Sequence, residues 1–470
     1  MAEPLRLRVA AVERYERPVR LRLPFRFGVV TLTEAPQAFV RARVRLADGR
    51  EAWGAAAELL APKWFDKDLA LSNEDNFAQL REALALAAAA YAGDAALRTP
   101  FGLFAAHYRA LLAAGAARGL NPLVVSFGPA LLDRAVLDAA GRLAGVSFYD
   151  AVRANLAGID ASLTPELARF DLAKFLRSLA PSATLAVRHT VGLIDPLTAA
   201  DAVRRVDDGL PETLEEVVAA YGHRYFKLKV AGDVDADVER LARIAAVIDA
   251  RPGVYQATLD GNEQYHDVEG IAALWQRILA TPRLARLAES TLFIEQPIAR
   301  AHALERDVRA LARLKPVIID ESDGDLDAFP RARALGYAGV SSKACKGFYK
   351  SLLNAARCAL WTAEGRGACF MSGEDLTCQA GLSVQQDLAI VSLLGLGHVE
   401  RNGHHYVNGM AGLPRAEQQR FLAAHPDLYE DRAGAVRLRI ADGSVRVGSL
   451  AGPGFASGAE PEWSAMTRLA

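Results

Sequence analysis

The chain has 470 residues, of which 51% are hydrophobic and 24% are charged, and its formal net charge is −1. This composition is typical of a globular protein with a large core, and the balanced charge argues against nucleic-acid and anionic-membrane partners. No uncharged stretch is long enough to span a bilayer, the N-terminus lacks the apolar run of a signal peptide, and the four cysteines have no CxxC spacing. We therefore expect a cytoplasmic protein.

The N-terminal region predicts β-strands followed by helices. Apolar and polar residues alternate on both sides of Asp48-Gly49, a dipeptide that favours a hairpin turn. Residues 73–117 are rich in Ala and Leu and lack β-branched runs, which favours helices. A further amphipathic helix is predicted at residues 131–143, with Gly145 in the position where a helix usually ends.

From about Leu185, short β-favouring runs alternate with helical stretches. Charged residues end five of these runs, at successive intervals of 31, 35, 25 and 23 residues: Lys229, Asp260, Glu295, Asp320 and Lys343. Eight βα units in ~250 residues need about 31 residues each, so the spacing predicts a TIM-type barrel. A doubly wound sheet would usually carry a Gly-rich loop after its first strand, and the sequence has none there. After the barrel, a second hairpin is predicted around Asp442-Gly443, and the tail is expected to pack on the N-terminal strands.

Three carboxylates suggest a metal site. Asp260, Glu295 and Asp320 end three successive predicted strands, and the C-terminal ends of barrel strands line the active site. Carboxylates that converge without positive partners repel one another, so a bound cation is the natural resolution. Oxygen ligands from separate strands suit octahedral Mg²⁺ better than zinc. The alternative for any single strand-end carboxylate is a helix cap or a surface acid.

Three lysines suggest acid/base chemistry. Lys227 and Lys229 share one face of a predicted strand, and because helices cover the outside of a barrel, that face is expected to point inward. Two neighbouring ammonium groups near a divalent cation lower each other's pKa, which moves a lysine toward the neutral form of a general base. Lys343 is expected roughly across the mouth as a second acid/base. Its alternative is an ordinary ion pair, for instance with Glu321.

Five motifs, in this order and spacing, resemble the barrel motifs of the enolase superfamily and specifically of its muconate-lactonising subgroup: FKLKV, LDGN, FIEQP, IIDES and SSKACKG. The flanking segments are also similar to that family. The resemblance implies an α/β fold with a modified TIM barrel, (β/α)7β, at residues 184–400. It also implies an α+β capping domain built from residues 1–150 and from a returning C-terminal segment, residues 401–470.

The resemblance also implies the chemistry. One Mg²⁺ per active site would be bound by Asp260, Glu295 and Asp320, with Glu321 as the alternative third ligand, and would hold the carboxylate of a small-molecule acid. The lysines would act on the proton α to that carboxylate: Lys229 as the base, Lys227 tuning it, and Lys343 as the acid/base on the opposite face. Racemisation or epimerisation, cycloisomerisation or β-elimination would follow from the metal-stabilised enediolate.

Departures from the family pattern bear on the substrate. No His base follows the seventh barrel strand, as the mandelate-racemase branch would need. No Asp-x-Asp follows the eighth strand, as dipeptide epimerases would need, which disfavours α-ammonium dipeptides. Residues 155–182, interpreted as a connecting region, and residues 206–223 are extra segments. Candidate substrate contacts are Asn262, Glu321, Phe25, Trp64, Asp375 and Asn402.

Two other functions stay open at this point. A Schiff-base aldolase also uses a strand-end lysine in a barrel, although the three carboxylates have no purpose in its mechanism. A non-catalytic relative would keep the site for structural reasons. Relatives are often dimers or octamers, so a homo-oligomer is an expectation. The pair His404-His405 lies in a Gly-rich stretch and is expected to be solvent-exposed rather than metal-binding.

Overall fold

The structure is a computed structural model that describes residues 4–469, and it begins with a long antiparallel sheet. The strands of this sheet are β1 (Leu7–Phe27), β2 (Val30–Leu46) and β3 (Glu51–Leu59). The predicted turn at Asp48-Gly49 is confirmed, because β2 and β3 pair across it. Gly49 has a φ of +89°, which glycine adopts without the steric cost that a Cβ would bring.

Helices cover this sheet and lead toward the barrel: α1 (Asn73–Gly93), α2 (Pro100–Ala116), α3 (Pro122–Ala144), α4 (Phe148–Arg153) and α5 (Leu172–Ser178). The predicted helices are confirmed, and α3 begins earlier than expected because Asn121 caps it and Pro122 fits its first turn. Gly145, with a φ of +66°, ends α3 as predicted. Within residues 4–469, no helix has both the length and the apolar character that crossing a membrane needs.

The sheet and α3 approach each other very closely at one glycine. A Cβ on Gly54 would lie 2.2 Å from the carbonyl oxygen of Ala135 and 2.3 Å from the amide nitrogen of Ala139. Because both contacts are to backbone, any side chain at this position would push the helix away from β3. Gly54 therefore allows the close spacing between the antiparallel sheet and α3, the two layers of the cap.

Eight parallel strands then form a closed ring, in which β11 pairs with β4. The strands are β4 (Thr184–Val191), β5 (Tyr225–Lys229), β6 (Gln256–Asp260), β7 (Thr291–Glu295), β8 (Val317–Ile319), β9 (Gly339–Ser342), β10 (Phe370–Gly373) and β11 (His398–Glu400). The connecting helices are α6 (Leu214–Tyr221), α7 (Val234–Asp249), α8 (Val268–Ala280), α9 (Ala285–Ser290), α10 (Arg300–Ala303), α11 (Arg309–Ala312), α12 (Ala328–Ala334), α13 (Phe348–Ala363) and α14 (Leu382–Leu393). The predicted (β/α)7β barrel is confirmed.

The chain after the barrel contacts both the barrel and the N-terminal sheet. It contains α15 (Gly403–Tyr406), α16 (Arg415–Ala424), β12 (Tyr429–Arg432), β13 (Ala435–Leu438), β14 (Ser444–Arg446) and β15 (Thr467–Arg468). The hairpin predicted around Asp442-Gly443 is wrong. A tight turn forms there, but β13 pairs with β12, and β14 pairs antiparallel with β4. β11 pairs only with residues 186–188 of β4, so the start of β4 has a free edge that β14 occupies. β15 pairs with β1.

Acid is expected to destabilise this C-terminal segment through His425. The ring accepts a hydrogen bond from the Gly458 N–H at 3.2 Å, and burial lowers the pKa of His425 to about 4. In the unfolded chain its pKa is about 6.5, so below that pH the unfolded state binds a proton that the folded state does not. Protonation of His425 in the unfolded chain is therefore expected to lower the free energy of unfolding by about 2 kcal/mol between pH 7 and 5. Urea unfolding at both pH values should show a smaller loss in His425→Gln, and an equal loss would contradict this assignment.

Candidate active site

Charged side chains converge at the C-terminal end of the barrel. Lys229, Asp260 and Glu295 are the last residues of β5, β6 and β7, while Asp320 and Lys343 directly follow β8 and β9. All of them are buried. In the closed ring of eight strands, β5 and β9 are four strands apart, so the strands carrying Lys229 and Lys343 lie on opposite sides of the mouth.

Lys227 lies at the centre of the acidic groups. Its Nζ donates hydrogen bonds to Glu295 Oε1 at 2.9 Å, to Glu374 Oε2 at 2.8 Å and to Glu400 Oε2 at 3.1 Å. It also lies 2.9 Å from Asp260 Oδ2 and 2.9 Å from Glu295 Oε2. One ammonium group is therefore shared by four carboxylates from four different strand ends.

This arrangement corrects the expected pKa of Lys227. Burial alone would lower it, but the carboxylates of Asp260, Glu295, Glu374 and Glu400 outweigh burial and raise the pKa of Lys227 well above its usual value. The expectation that paired lysines lower each other's pKa is wrong for Lys227, because it ignored the acidic side chains that surround this ammonium group. Lys227 is a fixed positive charge.

The other two lysines each hold one carboxylate. Lys229 Nζ donates to Asp260 Oδ2 at 2.5 Å, and Lys343 Nζ donates to Asp320 Oδ2 at 2.6 Å. Asp320, rather than Glu321, is thus the ion-pair partner of Lys343. The ion pair raises the pKa of Lys343 although burial opposes it, and the same positive charges, with Lys346 nearby, lower the pKa of Asp320 against the effect of burial.

Glu321 differs from its neighbour Asp320. Its Oε1 accepts a hydrogen bond from Asn262 Nδ2 at 3.0 Å, whereas its Oε2 is buried and has no hydrogen-bond partner. Burial raises the pKa of Glu321 to about 7, and the adjacent carboxylates of Asp320 and Glu263 act in the same direction. A buried carboxylate oxygen without a partner is costly unless a cation or a donor reaches it.

The donor set fits a hard divalent cation. Asp260 and Glu295 already place one oxygen each at 2.9 Å from the same ammonium nitrogen, that of Lys227, so their carboxylates converge on one point of positive charge. The unpartnered Oε2 of Glu321 and the carboxylate of Asp320 lie at the next strand end. All of these donors are oxygens, which Mg²⁺ prefers.

Comparison with known proteins places the chain in a family. The profile described as "Enolase C-terminal domain-like" matches residues 209–461, which is more than half of the chain. The chain belongs to the enolase superfamily. No curated protein sequence matches it significantly.

Several solved structures resemble this chain over nearly their whole length. An enolase from Bradyrhizobium, complexed with magnesium and mandelic acid, has a TM-score of 0.61 at 18% identity, with 99% of both chains covered. A muconate lactonizing enzyme from Mycobacterium smegmatis, complexed with muconolactone, has a TM-score of 0.57 at 20% identity, covering 98% of this chain and 100% of that one. A dipeptide epimerase from Cytophaga hutchinsonii has a TM-score of 0.58 at 15% identity, covering 98% and 99%. Likeness at these identities shows the fold.

Two carboxylates of this superfamily member were missed by the sequence interpretation. Glu374 directly follows β10 and Glu400 ends β11, so the strand-end criterion that selected Asp260 would also have found them. Glu374 forms an ion pair with Arg188, and Glu400 accepts a hydrogen bond from Thr190 Oγ1 at 2.6 Å. The Arg188 side chain points into the barrel and reaches Glu374, which is distant from it in the sequence.

The cap of this enolase-superfamily protein closes over the mouth. A cavity at the mouth is lined by Phe25, Phe27, Leu32, Ala61, Trp64, Lys229, Asn262, Lys343, Asp375, Leu376, Thr377, Glu400 and Asn402. The predicted contacts Phe25, Trp64, Asn262, Asp375 and Asn402 therefore meet at one cavity, and Lys343 Nζ lies 4.2 Å from the centre of the Trp64 ring.

Asp375 is already engaged by backbone groups. Its Oδ2 accepts hydrogen bonds from the amides of Asn402 and Gly403, each at 3.0 Å. The Oδ1 of Asn402 is buried and has no hydrogen-bond partner. The carboxylate of Asp375 thus holds the loop after β11 in place, and the side-chain oxygen of Asn402 is a polar atom without a partner beside the cavity.

The expected exposure of His404-His405 is wrong. His405 is buried and His404 is half-buried, because α15 packs against β1 and its histidines contact His189 of β4. Both rings lie beside His189, at centroid distances of 5.5 Å for His404 and 5.1 Å for His405. The sequence could not show this, since the partner histidines lie more than one hundred residues away in the chain.

Proposed function

We propose that this protein is a Mg²⁺-dependent enzyme that removes the proton α to the carboxylate of a small acid. The observation that carries the proposal is the opposed pair of lysines, Lys229 and Lys343, around a buried group of strand-end carboxylates. Two of these carboxylates, Asp260 and Glu295, already share one cationic partner. The structural neighbours include proteins with Mg²⁺, mandelic acid or a dipeptide bound, which supports this class of chemistry.

Asp260, Glu295 and Asp320 would hold the Mg²⁺, with Glu321 as the alternative to Asp320. When bound, the ion would supply Lewis-acid stabilisation of the charge that develops on the substrate carboxylate, an effect worth several kcal/mol. Glu321 is the alternative because its Oε2 is buried without a partner, and because burial and the carboxylate of Asp320 raise its pKa.

Lys229 is the base in this proposal. Lys227 stays positively charged, and both ammonium groups lie against the same oxygen of Asp260, at 2.9 Å and 2.5 Å. Lys227 would therefore act on Lys229 through this shared carboxylate. Lys343, on the opposite side, would return a proton to the other face of the substrate or assist departure of a leaving group.

The lining of the cavity restricts the substrate. The cap contributes mainly apolar side chains: Phe25, Phe27, Leu32, Ala61 and Trp64. Apart from Asn262 and Asn402, the polar lining lies at the strand ends and in the loop after β10. We therefore propose a small carboxylic acid with an apolar group next to its α carbon, for racemisation or epimerisation, cycloisomerisation or β-elimination.

Deuterium exchange tests this function. Small α-substituted carboxylic acids, mandelate and muconolactone among them, are incubated with the protein in D₂O with and without Mg²⁺, and deuterium at the α carbon is measured by mass spectrometry. We expect exchange for at least one apolar acid, and only with Mg²⁺. Exchange without any divalent ion would contradict the metal role. Borohydride trapping of a keto acid on the protein would indicate a Schiff-base aldolase instead, and absence of both reactions would indicate a non-catalytic relative.

Calorimetric titration of metal-free protein with Mg²⁺ tests the ligands. We expect one site whose affinity falls about 100-fold or more in Asp260→Asn and in Glu295→Gln, since each variant removes a charged oxygen ligand. Asp320→Asn and Glu321→Gln form a matched pair, and we expect the larger loss in Asp320→Asn. A larger loss in Glu321→Gln would assign the third ligand to that residue, and unchanged affinity in all four variants would place the ion elsewhere.

A further inference from the structure

Histidines from three segments meet outside the barrel wall. His189 lies on β4, and it points away from the barrel axis because its neighbours Arg188 and Thr190 point inward to Glu374 and Glu400. His223 lies just before β5, and His404 lies in α15. We call His189, His223 and His404 the histidine cluster. Ring centroids in the cluster are 5.2 Å apart for His189 and His223, 5.3 Å for His223 and His404, and 5.5 Å for His189 and His404.

Each member of the histidine cluster has one buried ring nitrogen without a hydrogen-bond partner. These atoms are His189 Nδ1, His223 Nε2 and His404 Nε2. One ring nitrogen of each histidine lies within 4.8 Å of those of the other two. An unpartnered buried polar atom destabilises the folded state, so three unpartnered nitrogens close together indicate a common partner.

The opposite nitrogens of two rings are held by backbone carbonyls. His223 Nδ1 lies 3.2 Å from the carbonyl oxygen of Val187, and His404 Nδ1 is hydrogen-bonded to the carbonyl of Arg401. Nδ1 therefore carries the proton in both rings, and the lone pair is on Nε2. A ring whose second nitrogen donates to a carbonyl is the usual arrangement of a metal-binding histidine, because the hydrogen bond fixes tautomer and orientation.

Burial keeps the rings in the neutral form that binds metals. It lowers the pKa of His223 to about 4, and it lowers the pKa of His189 and His404 well below the usual value. Three neutral imidazole nitrogens without an acidic partner suit Zn²⁺ and related transition metals, whereas Mg²⁺ prefers oxygen. Zn–N bonds are about 2.0–2.1 Å long, so on binding the three nitrogens would move closer together than the 4.8 Å within which they now lie.

We propose that His189, His223 and His404 bind one borderline transition-metal ion of the Zn²⁺ type. Water would complete a four-coordinate site. The site is separate from the strand-end carboxylates, since His189 lies on the outer face of β4. The ion would connect β4, the segment before β5 and the segment after β11. It would therefore link the first and last strands of the barrel, β4 and β11, which pair to close the ring. His404 is two residues from Asn402, so the ion would also fix the loop that borders the substrate cavity.

Cobalt absorption tests the proposal on the full chain. Co²⁺ in four-coordinate nitrogen sites absorbs visible light far more strongly than Co²⁺ in octahedral carboxylate sites, so titration in excess Mg²⁺ reports the histidine cluster alone. We expect an intense visible band that saturates at one equivalent. The band should be lost in His223→Gln and in His404→Gln and retained in Asp260→Asn, which alters only the carboxylate site.

His405→Gln is the matched control, because it removes a neighbouring buried imidazole that is not assigned as a ligand. We expect it to retain the band. Thermal unfolding gives a second readout: one equivalent of Zn²⁺ should raise the melting temperature of the wild type and of His405→Gln, but not of His223→Gln. No intense band in the wild type, or a band that persists in both His223→Gln and His404→Gln, would overturn the proposal. Loss of the band in His405→Gln alone would overturn the assignment of ligands.

Discussion

Replacing Lys229 by alanine is expected to reduce Mg²⁺-dependent exchange of the substrate α proton by about 10²–10⁴-fold, the usual contribution of a positioned general base. Lys229 ends β5, is buried, and forms an ion pair with Asp260 at the barrel mouth. No other lysine on β5 can replace it, because Lys227 is held by four carboxylates as a fixed cation. The rate of deuterium incorporation into an acid that the wild type exchanges is the measurement.

Lys343→Ala is the matched control for this experiment. It removes the lysine on the opposite side of the mouth, so exchange of the enantiomer that faces Lys229 should persist while conversion to the other enantiomer stops. Mg²⁺ affinity and urea unfolding of both variants separate loss of chemistry from loss of structure. If exchange in Lys229→Ala continued at the wild-type rate with the fold intact, Lys229 would not be the base.

Replacing Lys227 by methionine is expected to lower the free energy of unfolding by about 3–5 kcal/mol, the usual cost of removing one partner from a buried ionic group. Methionine keeps most of the buried side-chain volume, so the loss reports charge rather than packing. Four carboxylates would be left facing one another without the ammonium group they share. Urea unfolding in metal-free buffer measures the loss.

Lys315→Met provides the comparison. Lys315 Nζ donates to the carbonyl of Thr291 at 2.7 Å and lies 4.9 Å from the centre of the Trp275 ring, without a carboxylate partner. We expect it to cost less than Lys227→Met, about 1.5–3 kcal/mol, the range for a hydrogen bond that involves one charged group. Mg²⁺ should stabilise Lys227→Met more than the wild type, because the ion would replace positive charge beside Asp260 and Glu295. Equal losses in the two lysine variants would contradict the role assigned to Lys227.

The barrel and its strand-end residues could be predicted from the sequence because both follow from local patterns. Spacing of about 31 residues per unit sets the fold, and alternation within β5 determines that Lys227 and Lys229 share the inner face. The same local criterion applies to Glu374 and Glu400, which were overlooked because the segments after β10 and β11 were compared only with family patterns for a His base and an Asp-x-Asp.

Features that depend on distant partners could not be predicted. The raised pKa of Lys227 depends on Asp260 and Glu295 and also on Glu374 and Glu400, the last two of which lie well over one hundred residues further along the chain. The turn at Asp442-Gly443 forms, yet the strands beside it pair elsewhere: β13 pairs with β12, and β14 pairs with the free edge at the start of β4. The domain boundaries, the cytoplasmic location and a homo-oligomer stay predictions.

The sharing of β4 between two partners has a consequence for biosynthesis. Residues 184–186 of β4 pair with β14, whereas residues 186–188 pair with β11, so the first barrel strand depends on two late segments of the chain. As the polypeptide leaves the ribosome, β4 emerges long before either segment, and its backbone groups stay unpaired on that side. Contacts between residues so far apart in sequence slow folding. The nascent chain therefore carries an open strand edge, a site for wrong pairing with other chains, until β14 has left the ribosome.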